Sequence, residues 1–470
     1  MTTVPYLEAG APTASRLGFR VPRPVVGPIT CGSAAVVTGT CLGIALVNHR
    51  IEMFVAAAVI ALVCAVFVAN PLYGLAVTLF IRPTLDLWAG VTLVGVAGAS
   101  RSLNAASLMA LTFLIVGGSF AIENWRDSRR APAALPFLAF IATATVSVLL
   151  GRYRSEGFTE LVRLLSVGTI YLVAFASVCT RRDALRLMYA VIASAVFPVI
   201  YALHQLNASQ LVSQRGFARV SSTFVAIDAF GIFMALVYIV VATLVVTRGV
   251  RFRWLIVAFL PFAGYTTIHS YARTGWIATI IGVGIVLALR NRRLLLVLPV
   301  AIVLVAAANP SVIHRFGDLQ RTQATPTNAP ANTFVGRVGR WQQALPQVKN
   351  NPITGRGLAF IVASNEGAAV HNDYVRAVVE TGLVGLCAFL WLLVRTFRAS
   401  YAGLRSARVW GGSVDLAIAL GTFAVVPAWI IMSLDSNLMD QIVVAGVFWA
   451  LAATGHALAY RRAYGAVTVD

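Results

Sequence analysis

The sequence contains few charged residues and almost no lysine. Charged residues make up 11% of its 470 residues, and Lys349 is the only lysine among 37 basic residues. Because soluble domains carry about 25% charged residues, this scarcity excludes an ordinary soluble globular protein. The five cysteines are scattered in or beside apolar runs without metal-ligand spacing, so we predict buried thiols.

Long apolar runs dominate the chain instead. Hydrophobic residues account for 59% of the sequence, and the mean hydropathy is +0.82. Runs of this length cross about 30 Å of hydrocarbon as helices, and they lack the alternation of barrel strands. We therefore predict an all-α polytopic membrane protein with about 12–14 transmembrane helices. The candidate segments lie near 29–47, 51–69, 71–88, 104–122, 132–150, 158–178, 184–204, 224–247, 254–270, 274–289, 293–308, 377–395, 414–434 and 438–459.

The weakest of these segments is 71–88, because Arg82, Pro83 and Asp86 interrupt it. Arginine clusters follow every second segment and, with the N-terminal tail, hold 21 basic residues, whereas the short loops of the opposite side hold nine. The positive-inside rule then places both termini in the cytoplasm. The preference for Arg over Lys, with abundant Ala and Val, indicates a high-GC bacterium, so the expected location is the bacterial inner membrane.

The chain is predicted to divide into five parts. Residues 1–28 form a cytoplasmic tail, 29–308 an N-terminal transmembrane bundle, 309–376 a long extracytoplasmic loop, 377–460 the C-terminal transmembrane helices, and 461–470 a second cytoplasmic tail. The net charge of +20 does not indicate nucleic acid, since the arginines sit between apolar runs and form no stripe interleaved with aromatic residues.

The long loop carries seven basic residues against three acidic ones. Its polar stretch 322–333 is predicted to be mobile, 335–345 to form a short amphipathic helix, and 351–357 to form a tight turn. Arg337 and Arg340, three residues apart, would face one side of that helix. Guanidinium groups bind phosphate oxygens in pairs, so the loop suits an anionic substrate such as a pyrophosphate.

Several motifs follow one another along residues 150–460. They are Arg219-Val-Ser-Ser-Thr-Phe224, Ser270-Tyr-Ala-Arg273, Arg337-Val-Gly-Arg340-Trp341, Pro352-Ile-Thr-Gly-Arg-Gly-Leu358, His371-Asn-Asp-Tyr374 and Glu380-Thr-Gly-Leu-Val-Gly385. In this order, around one long outer loop, they resemble the O-antigen ligase family, also called the ligase/polymerase-type polysaccharide enzymes. Ser222 stands where the family motif has glycine.

The resemblance implies a GT-C-like glycosyltransferase of cell-envelope polysaccharide biosynthesis that needs neither metal nor cofactor. Such an enzyme moves a glycan from a polyprenyl pyrophosphate to the hydroxyl of a lipid or glycan acceptor. By this carry-over His371 is the base or the key acceptor-site residue. Arg273 and Arg340 hold the pyrophosphate, supported by Arg219 and Arg337. Arginines can replace a metal ion beside a departing pyrophosphate, and a histidine can accept the acceptor's proton.

Each of these residues also has an ordinary explanation. His371 fits a hydrogen-bonded histidine at the interface, and Arg273 fits an arginine that snorkels from a helix end. Arg337 and Arg340 fit the solvated face of a helix that lies on the membrane.

Three further residues are expected to support the site rather than to react. They are Asn372, Arg376 and Glu380, and the last two are spaced to form an ion pair on one helix face. Asp435 and Asp440, which flank the last outer loop, are expected to be solvated.

The same features leave four functions open. The first is a ligase that transfers a completed glycan, and the second is a polymerase that joins repeat units on polyprenyl carriers. The third, from another class, is a transporter or flippase of an anionic lipid-linked substrate, although no inverted repeat supports it. The fourth is a cell-wall glycan synthase, whose own motifs are not found here.

Overall fold

A computed structural model describes residues 24–48, 51–88, 104–214, 217–247, 250–317, 334–364 and 369–463. Within these segments the chain forms nineteen α-helices, three short 3-10 helices and one two-stranded antiparallel sheet. The stretch 322–333, predicted to be mobile, lies outside the described residues, as do most of the N-terminal tail and residues 464–470 of the C-terminal tail.

The N-terminal half contains the first nine helices and the sheet. They are α1 (Pro28–Asn48), α2 (Ile51–Ala69), α3 (Pro71–Leu85), a 3-10 turn (Asp86–Trp88), α4 (Ala105–Glu123), α5 (Trp125–Ser128), α6 (Ala134–Leu150), α7 (Arg154–Ser177), α8 (Arg181–Ser194), α9 (Val196–Asn207), β1 (Val212–Gln214) and β2 (Phe217–Arg219).

The C-terminal half contains the remaining helices. They are α10 (Ile227–Val245), α11 (Arg253–Ile268), α12 (Arg273–Arg290), a 3-10 helix (Arg292–Leu296), α13 (Val297–Ala308), α14 (Pro310–Gly317), α15 (Phe334–Ala344), a 3-10 helix (Leu345–Asn350), α16 (Phe360–Ser364), α17 (Asp373–Trp410), α18 (Ser413–Met432) and α19 (Ile442–Ala463).

The prediction of an all-α membrane fold is confirmed. In the part of the chain that the structure describes, ten helices are long and apolar enough to cross a membrane, and a bent pair at Arg292–Ala308 and Pro310–Gly317 makes an eleventh. The helices α6 and α11 are apolar but shorter, and α3 has only 15 residues. Each of the fourteen predicted segments contains a helix, and α8 and α9 share one segment.

The interrupted third segment is a helix with a defined start and end. The Asn70 side chain accepts the Leu72 backbone N–H at 3.0 Å and so caps the first turn of α3. Pro83 lies in the last turn, and the chain tightens to a 3-10 turn directly after it. The polar residues that weaken the apolar pattern therefore gather at one end of α3.

The interior is formed by α10, α18 and α19, most of whose side chains are buried. Trp429 and Phe448 stack with ring centroids 4.1 Å apart at the centre of this core. Close packing of α10 on α12 requires two glycines, since a Cβ on Gly231 would overlap Ala272 and one on Gly275 would overlap the Gly231 backbone. This contact brings the first turns of α10 and α12 together.

The prediction of buried thiols is right for Cys41 and Cys64 and wrong for Cys31 and Cys387, which are exposed. All five cysteines lie in described segments, and no disulfide joins them. The failure has a simple cause. In a membrane protein the outward surface is apolar too, so an apolar neighbourhood in the sequence does not imply burial inside the protein.

Candidate functional site

The turn 351–357 packs into a break in the long helix α17. Gly382 interrupts this helix with φ of 71°, and the neighbouring Leu383 N–H donates to the Pro352 carbonyl at 2.8 Å. Gly355 also has positive φ, and a Cβ there would overlap the Glu380 backbone. Only glycine fits both positions. The two glycine motifs of the sequence thus form one structural joint, which fixes the loop against the start of α17.

His371 lies directly before α17 in a left-handed conformation with φ of 52°. Asn372 caps the helix, since its Oδ1 accepts the N–H groups of Tyr374 at 2.9 Å and Val375 at 3.0 Å. The Asn372 N–H donates to Asn437 Oδ1 at 2.8 Å. A strained non-glycine backbone of this kind persists only where its neighbours hold it, and Asn372 provides that hold.

The loop between α18 and α19 fastens the same segment from the other side. The Asp373 N–H donates to the Ser433 carbonyl at 2.9 Å, and Asp373 Oδ2 accepts the Leu438 N–H at 3.1 Å. The Asn372 amide donates to the Leu434 carbonyl at 3.1 Å. These three hydrogen bonds fix the backbone that directly follows His371.

Arg219 is fully enclosed, with 1% of its surface exposed. Its Nε donates to the Ser270 carbonyl at 2.8 Å, and its Nη2 pairs with Asp228 Oδ1 at 2.5 Å. The next residue, Val220, donates its N–H to the His269 carbonyl at 3.0 Å. Arg219 thus connects the β1–β2 hairpin with Ser270 before α12 and with the start of α10.

Ser222, which departs from the family glycine, keeps the glycine conformation. Its φ is 53°, in the left-handed region. The Ser222 N–H donates to Gln205 Oε1 at 2.8 Å, and its hydroxyl donates to the Pro198 carbonyl at 2.6 Å. These bonds offset the strain that a side chain brings to this position.

Arg273 begins α12 and lies against a second arginine that the motifs did not indicate. Its Nη1 donates to the Arg315 carbonyl at 3.1 Å. Arg315 is 4% exposed, donates from Nε to the Tyr271 carbonyl at 3.3 Å, and holds its guanidinium 5.1 Å from the Phe217 ring centre. The sequence feature that could have indicated Arg315 as a site residue is the excess of basic over acidic residues in the long loop.

The predicted amphipathic helix is present as α15, but its arginines do not form a solvated face. Arg337 is 6% exposed, pairs with the Asp435 carboxylate and donates to the Asp435 carbonyl at 2.9 Å. Arg340 is half-buried and donates to the Ala369 carbonyl at 3.0 Å. Both side chains point toward the protein. The interpretation of these arginines as the solvated face of an amphipathic helix is therefore wrong.

Asp435 corrects a further expectation. It was predicted to be solvated, but it accepts both the Arg337 ion pair and the Thr274 hydroxyl. It therefore ties α15 to the first turn of α12, next to Arg273.

The guanidinium groups influence one another. Burial is the largest cause that lowers the pKa of Arg337, to about 10, and the charges of Arg273, Arg340 and Arg315 act in the same direction, opposed by Asp228. Burial also lowers the pKa of Arg340. We call Arg273, Arg315, Arg337 and Arg340 the arginine cluster. Their mutual repulsion would be relieved by a bound anion.

Asp228 connects this cluster to the histidine. Its carboxylate interacts electrostatically with Arg219, Arg337 and His371. In the sequence Asp228 is only an acid in the first turn of a helix, so nothing marked it as part of a site. The structure thus brings together the predicted residues Arg219, Arg273, Arg337, Arg340 and His371. It adds Asp228 and Arg315, which had no predicted role, and Asp435, which was expected to be solvated.

Arg376 and Glu380 form the ion pair that their spacing predicts, with Nε 2.8 Å from Oε2. Arg376 also pairs with Asp440, and its Nη2 lies 3.6 Å from Glu160. Glu380 is completely buried and accepts the Ile361 N–H at 3.2 Å. We call Arg376, Glu380, Glu160 and Asp440 the carboxylate cluster. Its members pair with one another and hold together α17, α7 and the loop between α18 and α19.

His371 opens onto a cavity of about 470 Å³ at this end of the bundle. The end of α3, the start of α4 and Arg163 of α7 line it, together with the start of α10, the segment before α10 and the loop before α19. Among the described residues, no group of three or more His, Cys, Asp or Glu side chains is placed to hold a metal ion.

Comparison with known proteins confirms the resemblance that the motifs predicted. Residues 256–390 match the family model described as O-antigen ligase, a span that includes Arg273, Arg337, Arg340 and His371. The chain is 33% identical over 82 residues, 14% of its length, to the exopolysaccharide production protein ExoQ of Rhizobium meliloti. It is 29% identical over 155 residues, 27% of its length, to an uncharacterized protein of Haemophilus influenzae. These matches span only 19% and 39% of the relatives' own lengths.

Proposed function

We propose that this membrane protein transfers a glycan from a polyprenyl-pyrophosphate donor to an acceptor hydroxyl on the extracytoplasmic face of a bacterial inner membrane. Both termini would lie in the cytoplasm. The observation that carries the proposal is that the arginine cluster is held together at one end of the bundle, beside the segment that carries His371. Arg273 bonds Arg315, and Arg340 donates to the Ala369 carbonyl two residues before His371. The likeness to O-antigen ligases supports the same chemistry.

The arginine cluster suits the leaving group. A pyrophosphate gains negative charge as its bond to the sugar breaks, and fixed guanidinium groups stabilise that charge best when they are shielded from water. Arg273 and Arg340 are only partly buried, so both can reach a bound anion. Arg315 donates to the Tyr271 carbonyl, and Arg337 donates to the Asp435 carbonyl. These bonds fix the positions of the two guanidinium groups. No metal ion is required in this scheme.

His371 suits the base. In the proposed step the acceptor hydroxyl attacks the anomeric carbon, the carbon–oxygen bond to the pyrophosphate breaks, and the hydroxyl proton passes to the imidazole. The products are the glycosylated acceptor and polyprenyl pyrophosphate. The negative charge of Asp228 would stabilise the imidazolium that forms, as a carboxylate does beside a catalytic histidine.

A polymerase is the second candidate, because one relative is named for exopolysaccharide production. In that case the acceptor hydroxyl belongs to a second polyprenyl-linked glycan, and the same residues perform the same step. The two functions differ in the acceptor and not in the donor chemistry.

The test compares the wild type with His371→Ala in nanodiscs that contain a polyprenyl-pyrophosphate glycan and a candidate acceptor lipid. We expect the wild type to produce a larger glycolipid and to release polyprenyl pyrophosphate. We expect the variant to transfer the glycan about a hundredfold more slowly. His204→Ala is the matched control, since His204 is exposed at the end of α9.

Three outcomes would change the assignment. Elongated product that stays on the carrier identifies a polymerase. Normal turnover by His371→Ala removes the histidine from the chemistry. Movement of an anionic lipid across the membrane without any transfer product favours a transporter instead.

A further inference from the structure

Beside the cavity that His371 faces lies a second, apolar cavity, and we infer that the two together bind a lipid-linked saccharide acceptor. The saccharide would occupy the polar cavity and the hydrocarbon chain the apolar one. This inference deepens the proposed function and rests on it, because it assigns the acceptor to one side of His371 and the donor to the other.

The apolar cavity has a volume of about 550 Å³ and lies among α2, α3 and α4. Its walls include Val55 and Val59 of α2, Leu85 and Trp88 at the end of α3, and Met109 of α4. We call it the groove. Its apolar lining and its position on the outside of the bundle suit an extended hydrocarbon chain, which would pack against the side chains of α2, α3 and α4.

The polar cavity has a different lining. Asn104, Ser107, Asn437 and Gln441 supply amide and hydroxyl groups beside His371. Groups of this kind both donate to and accept from sugar hydroxyls. The two arginines of the cavity wall are already paired with acids, Arg82 with Asp86 and Arg163 with Glu160. The cavity is therefore nearly neutral in charge and suits a saccharide better than a pyrophosphate.

The last turn of α3 separates the two cavities. Ile81, Thr84 and Leu85 line the groove, whereas Arg82 and Asp86 line the polar cavity. A third, much smaller cavity shares Arg82 with the polar cavity and Met109 with the groove. A lipid-linked molecule can thus place its chain on one face of this turn and its polar end on the other.

Arg82 has a donor available at this junction. Its side chain is 13% exposed and its Nη1 bonds Asp86 at 2.6 Å. Within the described part of the chain, its Nε is buried and has no hydrogen-bond partner. A buried donor without a partner is unfavourable, and an acceptor oxygen at the head of the lipid would supply the missing hydrogen bond.

The donor has a separate place. None of the arginine cluster, which would hold the pyrophosphate, lines the polar cavity or the groove among the described residues. The groove also lies outside residues 256–390, the part that matches the family model. The chain's own N-terminal helices would then select the acceptor, while the matched part provides the transfer chemistry.

Photocross-linking tests the site without requiring turnover. One probe is a dodecyl disaccharide with a diazirine in its alkyl chain, and the other is undecaprenyl pyrophosphate with a diazirine in its terminal isoprene. We expect the glycolipid, and not the polyprenyl probe, to label residues 51–60, 81–88 and 105–109. Unlabelled glycolipid should compete, and phosphatidylethanolamine should not. Equal competition by the phospholipid, or labelling by the polyprenyl probe instead, overturns the inference.

A pair of variants on one helix isolates the groove. Ala56→Trp fills it, whereas Ala58→Trp places the same side chain on the exposed face of α2 outside the groove. We expect Ala56→Trp to lower glycolipid labelling and raise the acceptor KM by about tenfold, with the donor KM unchanged. Equal behaviour of the two variants would contradict the groove assignment.

The two proposals fail in different ways. Labelling at the groove with no transfer by the wild type would retain the binding site and reject the glycosyltransferase. Transfer that proceeds without labelling at the groove would retain the enzyme and reject the acceptor site.

Discussion

Two groups of buried and partly buried charges lie near the start of α17, and they differ in the ratio of acids to arginines. The carboxylate cluster surrounds the single cation of Arg376 with three acids. The arginine cluster gathers four guanidinium groups. Among the described residues, Asp435 pairs with Arg337, and Asp228 acts on Arg337 electrostatically. In the first group the acids outnumber the cation, whereas in the second the cations outnumber the acids among the residues that the structure describes.

This difference separates a structural role from a binding role. A buried charge is tolerated when it is paired, and each charge of the carboxylate cluster has a partner of opposite sign within the protein. An unbalanced group of cations is unfavourable until an anion joins it. Both groups would look alike to a count of arginines in the sequence, and only the arrangement of the acids distinguishes them.

The largest expected effect is on the carboxylate cluster. Glu380→Gln removes one partner of a fully buried ion pair, which costs about 3–5 kcal/mol. We expect a marked fall in Tm with or without donor present. The control is Asp127→Asn, whose pair with Arg130 is exposed and whose Tm should barely change. An unchanged Tm for Glu380→Gln would mean that this cluster is not structural.

The next effect concerns donor binding by the arginine cluster. Arg340→Ala should raise the donor Kd by about tenfold to a hundredfold and leave Tm nearly unchanged, because Arg340 is half-buried and bonds a carbonyl of the loop. Arg340→Lys should recover only part of the affinity, since an ammonium cannot make the forked contact. Full recovery by lysine would show that charge alone is recognised.

A smaller effect is expected from a simple anion. Inorganic pyrophosphate at ten times its Kd should stabilise the wild type by about 1.4 kcal/mol, and Arg340→Ala should lose most of that shift in Tm. Sodium chloride at equal ionic strength is the control for screening. The same shift with chloride would contradict a specific anion site.

The smallest expected effect is that of a chelator. EDTA should leave the transfer rate unchanged, because the arginine cluster would take the part of a metal ion at the leaving group. Inhibition by EDTA that Mg²⁺ reverses would count against this assignment. It would mean that a metal ion, and not the arginine cluster alone, neutralises the leaving group.

Much of the local structure could be predicted from the sequence. The fourteen apolar segments, the amphipathic helix at 335–345 and the turn at 351–357 depend on residues close in the chain, and each is present. The pairing of Arg376 with Glu380 also follows from helix periodicity. The site was harder to predict, because its acids are distant in sequence from the arginines that they contact.

The particular failures share this cause. Arg337 and Arg340 fit a solvated helix face in the sequence, but α15 lies against Asp435 and Ala369, far along the chain. Asp228 lacked any motif, because an acid in a first helical turn is ordinary. The exposed Cys387 shows the same limit, since the apolar pattern cannot tell lipid from protein interior.

The sequence by itself determined the class of the protein, its helical segments and the motifs that predict its chemistry. These follow from chain-local properties, namely apolar length, helix periodicity and the conformations that glycine permits. Only the tertiary structure decided which charges meet, which cavity His371 faces and where the groove lies. Those features arise when helices from distant parts of the chain pack together, and packing fixes the balance of charge that separates the arginine cluster from the carboxylate cluster.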